Sequence, residues 1–305
     1  MADTPVIENA TTFRRRSVAI VGLGLMGGSL ALALKAAGHQ GRLIGIARRP
    51  QTLHTAQALG AIDDADSDLS AVSAADLVIL ATPVRTLLRQ IPEVTQHMQP
   101  GALLLDLGST KQTVCAALAL TPPALQVLGG HPMCGKETSG LEVAEATLYQ
   151  DKTFVLCPLS RTSPTSLATG LALIEALGAR PLVMEPARHD RLVATISHLP
   201  YLLAAALVNL TSQVGADDAE VWQVAASGFR DTSRLAGSDP AMMLDILLTN
   251  RPAVRAALAA FRQELEQLDA WLADDDETAL LHRLQAAQAQ RLAFARGQVV
   301  SGGQV

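Results

Sequence analysis

Aromatic side chains are scarce in this chain, since Phe, Trp and Tyr make up 3% of its 305 residues. Proteins that bind single-stranded nucleic acid stack the bases on aromatic rings, so this composition argues against such a ligand. Positive charge is not in excess either, because 24 Lys and Arg stand against 29 Asp and Glu and give a net charge of −5. The sequence therefore predicts no nucleic-acid partner and no attraction to an anionic membrane.

Cysteine is equally scarce. Cys115, Cys134 and Cys157 form an odd set without C-x-x-C spacing. This pattern excludes a disulfide framework and a thiolate metal site, and we predict no bound metal. It favours a reducing, cytoplasmic location.

Long apolar runs are confined to one window, residues 192–210. A membrane-spanning helix needs about 20 apolar residues. His198, Pro200 and Asn209 interrupt the window, so it predicts a buried helix of a protein without a membrane span.

The hydrophobic content, 49%, is enough for one large core or two modest ones. In the N-terminal half, short uninterrupted apolar runs alternate with helical patterns, which predicts an α/β fold: a Rossmann-type, doubly wound parallel sheet with helices on both faces. The predicted strands are residues 17–21, 43–46, 77–81, 103–106, 126–128, 153–156 and 181–184.

From residue 187 onward the strand pattern stops and Ala/Leu-rich helical segments follow. We therefore predict a flexible tail at 1–16, a sheet domain at 17–186, an all-helical C-terminal domain at 187–297 and a tail at 298–305. The arginines at 14–16 precede a strand and not a signal-peptide core.

A glycine-rich turn follows the first predicted strand and opens the first helix. Its glycines suit a tight turn, close approach of the backbone to a pyrophosphate, and helix-on-strand packing. A turn without a ligand is the alternative, but the position at the start of a βαβ series favours a dinucleotide. The candidate cofactor residues are Gly22, Gly24, Leu25, Met26 and Gly27.

The residue type near the expected ribose indicates which dinucleotide binds. An NAD site usually has a carboxylate about 20 residues after the turn. Here that position is Ala47, and Arg48 and Arg49 follow it. Since Arg donates paired, charge-assisted hydrogen bonds to phosphate, we predict NADP; the alternative is that both arginines are merely solvated.

Three further segments follow predicted strands: residues 81–84, 106–111 and 129–140. Together with the glycine turn and Ser-His-Leu-Pro at 197–200, they resemble the prephenate and arogenate dehydrogenase family of tyrosine biosynthesis. The resemblance covers about residues 18–250, and the string H-P-M-x-G-x-E-x-S-G, which begins at His131, is its most specific part.

The resemblance implies oxidative decarboxylation of a cyclohexadienol, either arogenate or prephenate, with a nicotinamide as hydride acceptor. It also implies that Thr82 and Pro83 contact the cofactor, and that the helical domain binds substrate and forms a homodimer.

His131 is the candidate base, because imidazole titrates near neutrality; a structural core histidine is the alternative. Ser109 matches a family serine near this histidine and the nicotinamide, or it caps a helix. Glu137 matches a residue that orders the active site, or it is a surface carboxylate. Lys111 is left open between an active-site role and a solvated one.

Arg234 matches the arginine that anchors the substrate carboxylate, a role that suits its bidentate fork. A surface ion pair with Asp231 or Asp239 is the alternative. Arg230 and Ser197 are further substrate-binding candidates.

Tyr201 stands where prephenate users commonly have a histidine. A neutral hydroxyl lacks the positive charge that would repel the ammonium group of arogenate, so the sequence favours arogenate over prephenate. Prephenate or dual specificity remains the main alternative. An NADP-linked β-hydroxyacid dehydrogenase and a non-catalytic dinucleotide sensor are more distant ones.

Overall fold

The computed structural model describes residues 10–136 and 138–297. Within these residues, eight strands form one sheet in the order β3-β2-β1-β4-β5-β6-β7-β8. The strands are β1 (Val18–Val21), β2 (Leu43–Ile46), β3 (Asp64–Asp66), β4 (Leu77–Leu80), β5 (Leu103–Asp106), β6 (Gln126–Pro132), β7 (Thr153–Cys157) and β8 (Arg180–Val183).

The sheet is parallel from β3 to β6, and its central strands are buried on both faces because helices cover them. β6 changes partner along its length. Its first three residues pair in parallel with β5, whereas Gly129–Pro132 pair antiparallel with β7. β8 is parallel to β7. The Rossmann-type fold class is thus confirmed, with β7 and β8 reversed.

The predicted coverage of strands on both faces is wrong at the two edges of the sheet. β3 was not predicted, because its sequence Asp-Ala-Asp is polar, and none of its residues is fully buried. β8 is exposed at all four residues. An edge strand pairs on one side only, so polar or exposed residues are tolerated there.

The helices are α1 (Ala10–Phe13), α2 (Leu25–Ala36), α3 (Pro50–Ala58), α4 (Val84–His97), α5 (Gln112–Ala119), α6 (Pro164–Ala176), α7 (Pro186–Val193), α8 (Leu199–Asp217), α9 (Val221–Val224), α10 (Ser227–Ser233), α11 (Pro240–Thr249), α12 (Arg251–Ala273) and α13 (Glu277–Ala295). A π-helical turn, Ala194–His198, joins α7 to α8. Short 3₁₀ turns occur at Leu69–Ala74, Leu141–Val143 and Arg234–Gly237.

The segment before β1 packs against the sheet domain. Phe13 is fully buried, and the carbonyl of Arg14 accepts hydrogen bonds from the amides of Gln40 and Gly41. The prediction of a flexible tail is therefore wrong for residues 10–16. Residues 1–9 and 298–305 lie outside the described residues.

The chain contains two compact units, one extending to Val254 and the other beginning at Arg255. Among the described residues, every secondary-structure element that begins at or after Pro186 is a helix or a helical turn. The boundary predicted at 186/187 stays a prediction.

The apolar window in the helical half is more exposed than its sequence suggests. The continuous helical stretch Pro186–Asp217 is long and apolar enough to cross a membrane by length and composition, which is weak evidence by itself. Only 28% of its apolar window is buried. The prediction of a buried helix is therefore wrong for the single chain.

Candidate functional site

The glycine turn between β1 and α2 has the geometry that a dinucleotide needs. Gly22 adopts a φ of +101°, and a Cβ added at Gly27 would lie 1.9 Å from the carbonyl oxygen of Gly22. A Cβ at Gly24 would meet no atom within 4 Å. Two glycines thus allow the turn and its packing, and the third leaves open space where a pyrophosphate can approach the backbone.

This turn lines a cleft of about 610 Å³. Thr82 and Pro83, after β4, also line it, as do Arg48 and Arg49, which are exposed at the end of β2. Residues 140–142 close another side. Hence the cofactor candidates lie around one cavity, except Leu25, Met26 and Gly27, which belong to the start of α2. The Met26 carbonyl accepts a 2.6 Å hydrogen bond from Tyr149.

The carboxylates nearest to β2 in sequence are engaged away from the cleft. Asp63 pairs with Lys35 at 2.6 Å, and Asp64 pairs with Arg42 at 2.7 Å. Asp68 does line the cleft, and its carboxylate accepts a hydrogen bond from the Ser70 amide. Two guanidiniums and three carboxylates therefore line the cavity among the described residues, the other two carboxylates being Glu93 and Glu142.

A chain of hydrogen bonds begins at His131, near the end of β6. His131 is half-buried, and its Nδ1 lies 2.7 Å from Nε2 of His189. The Nδ1 of His189 lies 2.8 Å from Oδ1 of Asp190. His189 and Asp190 are both buried, at 1% exposure each. No described residue makes a hydrogen bond to the Nε2 of His131. This nitrogen can therefore receive a proton from a bound molecule.

Asp190 belongs to α7 but also binds the start of α5. Its carboxylate accepts hydrogen bonds from the amides of Lys111 at 2.7 Å and Gln112 at 2.9 Å. Its carbonyl accepts one from the Asn250 side chain at 2.8 Å. The helix start expected to be capped by Ser109 is thus capped by a residue 79 positions away, and that alternative for Ser109 is wrong.

Lys111 is completely buried beneath this cluster. Its ammonium forms an ion pair with Asp106 and donates a 2.6 Å hydrogen bond to the Gly130 carbonyl, next to His131. The solvated alternative for Lys111 is therefore wrong. The carboxylate of Asp106 also accepts hydrogen bonds from the amides of Gly108 and Gly130.

Burial lowers the pKa of His131 well below its ordinary value, and repulsion from His189, Lys111 and His198 lowers it further. Burial also lowers the pKa of His198 to about 4. The Nδ1 of His198 lies 3.2 Å from the amide nitrogen of Asn250, which donates to it. Both rings are neutral at neutral pH, and a neutral imidazole with an open nitrogen is chemically suited to act as a base.

The remaining predicted site residues are placed as follows. Ser109 is half-buried between β5 and α5, and Glu137 lies outside the described residues. The helical half carries the substrate-binding candidates: Ser197 is exposed on the π turn, Tyr201 is half-buried at the start of α8, Arg230 is exposed on α10, and Arg234 is exposed at the start of the last 3₁₀ turn. None of the hydrogen bonds of His131 involves these residues.

Sequence reasoning missed His189, Asp190 and Asn250. The available signal was an adjacent His-Asp pair in α7, where a carboxylate next to a histidine can orient the ring. Asn250 carried no signal, because its role depends on a contact across 60 residues.

Comparison with known proteins gives consistent matches. Residues 30–183 match the family model of the prephenate dehydrogenase nucleotide-binding domain, and residues 185–286 match that of the prephenate dehydrogenase dimerization domain. The chain is 36% identical over 279 residues to prephenate dehydrogenase of Bacillus subtilis, covering 90% of this chain and 75% of that protein.

Two solved structures are also similar. Prephenate dehydrogenase from Aquifex aeolicus, in complex with hydroxyphenyl propionate and NAD⁺, matches with a TM-score of 0.87 and 30% identity over 92% of this chain and 98% of that one. Synechocystis arogenate dehydrogenase matches with a TM-score of 0.80 and 33% identity over 91% and 99%. With both family domains matched over residues 30–183 and 185–286, the chain belongs to the prephenate/arogenate dehydrogenase family.

Proposed function

We propose that this dehydrogenase oxidatively decarboxylates L-arogenate to L-tyrosine with NADP as its cofactor. The observation that carries the proposal is a neutral His131, whose Nε2 binds no described residue, at the same edge of the sheet as the dinucleotide turn. Parallel strands place their chemistry at their carboxyl ends. The turn follows β1, and His131 lies near the carboxyl end of β6, beyond the residues that pair in parallel with β5. The alternative is that the enzyme oxidises prephenate, or both arogenate and prephenate.

A bound nicotinamide would supply the acceptor for the hydride of the ring carbon that bears the substrate hydroxyl. His131 Nε2 takes the hydroxyl proton, carbon dioxide leaves the opposite ring carbon, and His131 returns the proton to the resulting phenolate oxygen. Atoms and charges balance without a further reagent. Ser109 is proposed to contact the nicotinamide side of this site, and Glu137 to order it.

Replacing His131 tests this role. His131→Ala should lower kcat by about 100-fold or more, because losing a general base typically costs that much. The Kd for the cofactor should stay near that of the wild type, since His131 does not line the dinucleotide cleft. Near-normal turnover would remove His131 from the mechanism.

The preference for NADP rests on Arg48 and Arg49, which line the cleft. Guanidiniums suit a 2′-phosphate because they donate paired, charge-assisted hydrogen bonds. Calorimetric titration should give tighter binding of NADP than of NAD. Arg48→Ala combined with Arg49→Ala should weaken NADP binding while changing NAD binding little, and tighter NAD binding by the wild type would refute the preference.

The preference for arogenate rests on Tyr201, which carries no charge near the expected substrate side chain. We expect kcat/KM with NADP to be higher for arogenate than for prephenate. Tyr201→His should shift the ratio toward prephenate, and Tyr201→Phe is the matched control without a new charge. A tenfold preference of the wild type for prephenate would refute the assignment and leave the family intact.

The assembly proposed is a homodimer through the helical domain, residues 187–297, in a cytoplasmic enzyme. Its support is the exposed apolar surface of the stretch Pro186–Asp217 and the description of the matching family domain. Burying such a surface against a second copy would be favourable. Sedimentation at micromolar concentration should give a dimer, and a monomer would contradict this interface.

A further inference from the structure

The hydrogen-bond chain that ends at His131 fixes the positions of its protons. An ionised carboxylate can only accept hydrogen bonds. Asp190 accepts from the amides of Lys111 and Gln112, so the hydrogen between Asp190 and His189 must come from the histidine. In a neutral ring this proton on Nδ1 leaves Nε2 of His189 without a hydrogen.

The position of the proton on His189 also determines the position of the proton on His131. Nε2 of His189 can then only accept, and it lies 2.7 Å from Nδ1 of His131. The hydrogen in that contact therefore belongs to Nδ1 of His131. A neutral His131 with a proton on Nδ1 has its lone pair on Nε2, the nitrogen that no described residue binds.

We propose that His189 and Asp190 are positioning residues that hold His131 in the tautomer whose Nε2 is bare. This proposal rests on the proposed role of His131 as the base. When the hydroxyl proton reaches Nε2, the imidazolium keeps its Nδ1 hydrogen bond to His189, and Asp190 orients His189 to accept it. Without Asp190, His131 would spend much of its time with Nε2 already protonated.

Asp190 is well placed for this task because it is itself fixed. The start of α5 holds its carboxylate and Asn250 holds its carbonyl, so its position depends on two other elements. Two other titratable groups act on His131 from neighbouring elements. Lys111 is paired with Asp106, and His198 lies next to Asn250. Neither forms a hydrogen bond with the ring of His131.

The tautomer can be measured without substrate. In the full chain labelled with ¹⁵N-histidine, with the His131 signals assigned by comparison with His131→Gln, we expect Nδ1 to be protonated and Nε2 bare at neutral pH. A protonated Nε2 on His131, as a cationic His189 would produce, overturns the proposal. Because no turnover is involved, this result is independent of whether arogenate is the substrate.

Kinetics then test the effect of the chain on the reaction. Asp190→Asn can donate from its amide to His189 and so reverse both tautomers; kcat should fall at least about 100-fold, with KM changed much less. Asp276→Asn is the matched control, since Asp276 caps α13 through the Ala279 amide without a histidine neighbour. It should keep wild-type kcat.

A pair of variants at His189 separates positioning from mere packing. The amide oxygen of His189→Gln can still accept from His131 Nδ1, whereas His189→Leu cannot. We expect the glutamine variant to retain at least about tenfold more kcat than the leucine variant, and to keep the wild-type tautomer. Equal kcat in the two variants would overturn the proposal, even if Asp190→Asn fails to fold.

Discussion

The ammonium of Lys111 and the carboxylate of Asp106 form an ion pair from which solvent is completely excluded. The pair lies under the backbone of Gly130, one residue before the candidate base, because Lys111 donates to the Gly130 carbonyl and Asp106 accepts from its amide. The carbonyl and the amide of Gly130 are therefore both bound by charged side chains, and this fixes the backbone next to His131.

Lys111→Met should destabilise the protein by roughly 3–5 kcal/mol, because removing one partner leaves a buried charge uncompensated. The double variant with Asp106→Asn should recover part of this loss. Lys35→Met is the control, since Lys35 pairs with Asp63 at the surface, and it should cost less than about 1 kcal/mol. Urea unfolding measures all three; a small effect at Lys111 would contradict this picture.

Gly24 and Gly27 should respond differently to alanine. Gly24→Ala should fold normally, because its Cβ meets no protein atom, but should weaken cofactor binding by filling space beside the turn. Gly27→Ala should lower Tm clearly, because its Cβ would overlap the Gly22 carbonyl oxygen. Melting curves and cofactor titrations distinguish the two, and equal behaviour would argue against the separate roles.

Acid should destabilise the protein through His198. Its pKa in the folded state is lowered to about 4 from an ordinary 6.5, so the unfolded chain binds the proton first as pH falls. The stability contribution is intact above pH 6.5 and is lost progressively down to about pH 4, by roughly 3 kcal/mol at 1.36 kcal/mol per unit.

This dependence can be measured as the free energy of unfolding against pH. His198→Gln should flatten the curve between pH 6.5 and 4. The exposed His282→Gln is the control and should leave the slope unchanged. An unchanged slope in His198→Gln would show that this ring is not responsible.

Arg234→Ala should raise KM for the substrate far more than KM for NADP, because it removes the proposed anchor for a carboxylate. Arg262→Ala provides a control, since this exposed arginine pairs with Glu266 on α12 and is expected to have no kinetic effect. If both Michaelis constants rose equally in Arg234→Ala, a folding defect and not a lost contact would be indicated.

The sequence predicted the central strands well because each is a short, uninterrupted apolar run between helices. It could not predict β3, where backbone pairing with β2 outweighs a polar sequence. It also did not indicate that β7 runs against β6, since direction depends on how the chain returns after residue 132 and not on residue types.

Within the candidate site, the sequence predicted roles for the glycine turn and His131, which lie in contiguous motifs. It missed His189 and Asp190, whose proposed role depends on hydrogen bonds to residues 58 and 79 positions away. The capping of α5 is a similar case: a serine close in sequence looked suitable, but the carboxylate that binds the amides comes from α7.

The change of partner along β6 has a consequence for the timescale on which His131 moves. His131 and Val155 face each other in the antiparallel part of the ladder, so the backbone of the candidate base belongs to a strand and not to a loop. Amides in central strands exchange with water only through large-scale opening, whereas loops open locally at little cost. The backbone position of the candidate base is thus fixed when the chain folds, and no loop movement is needed to place it.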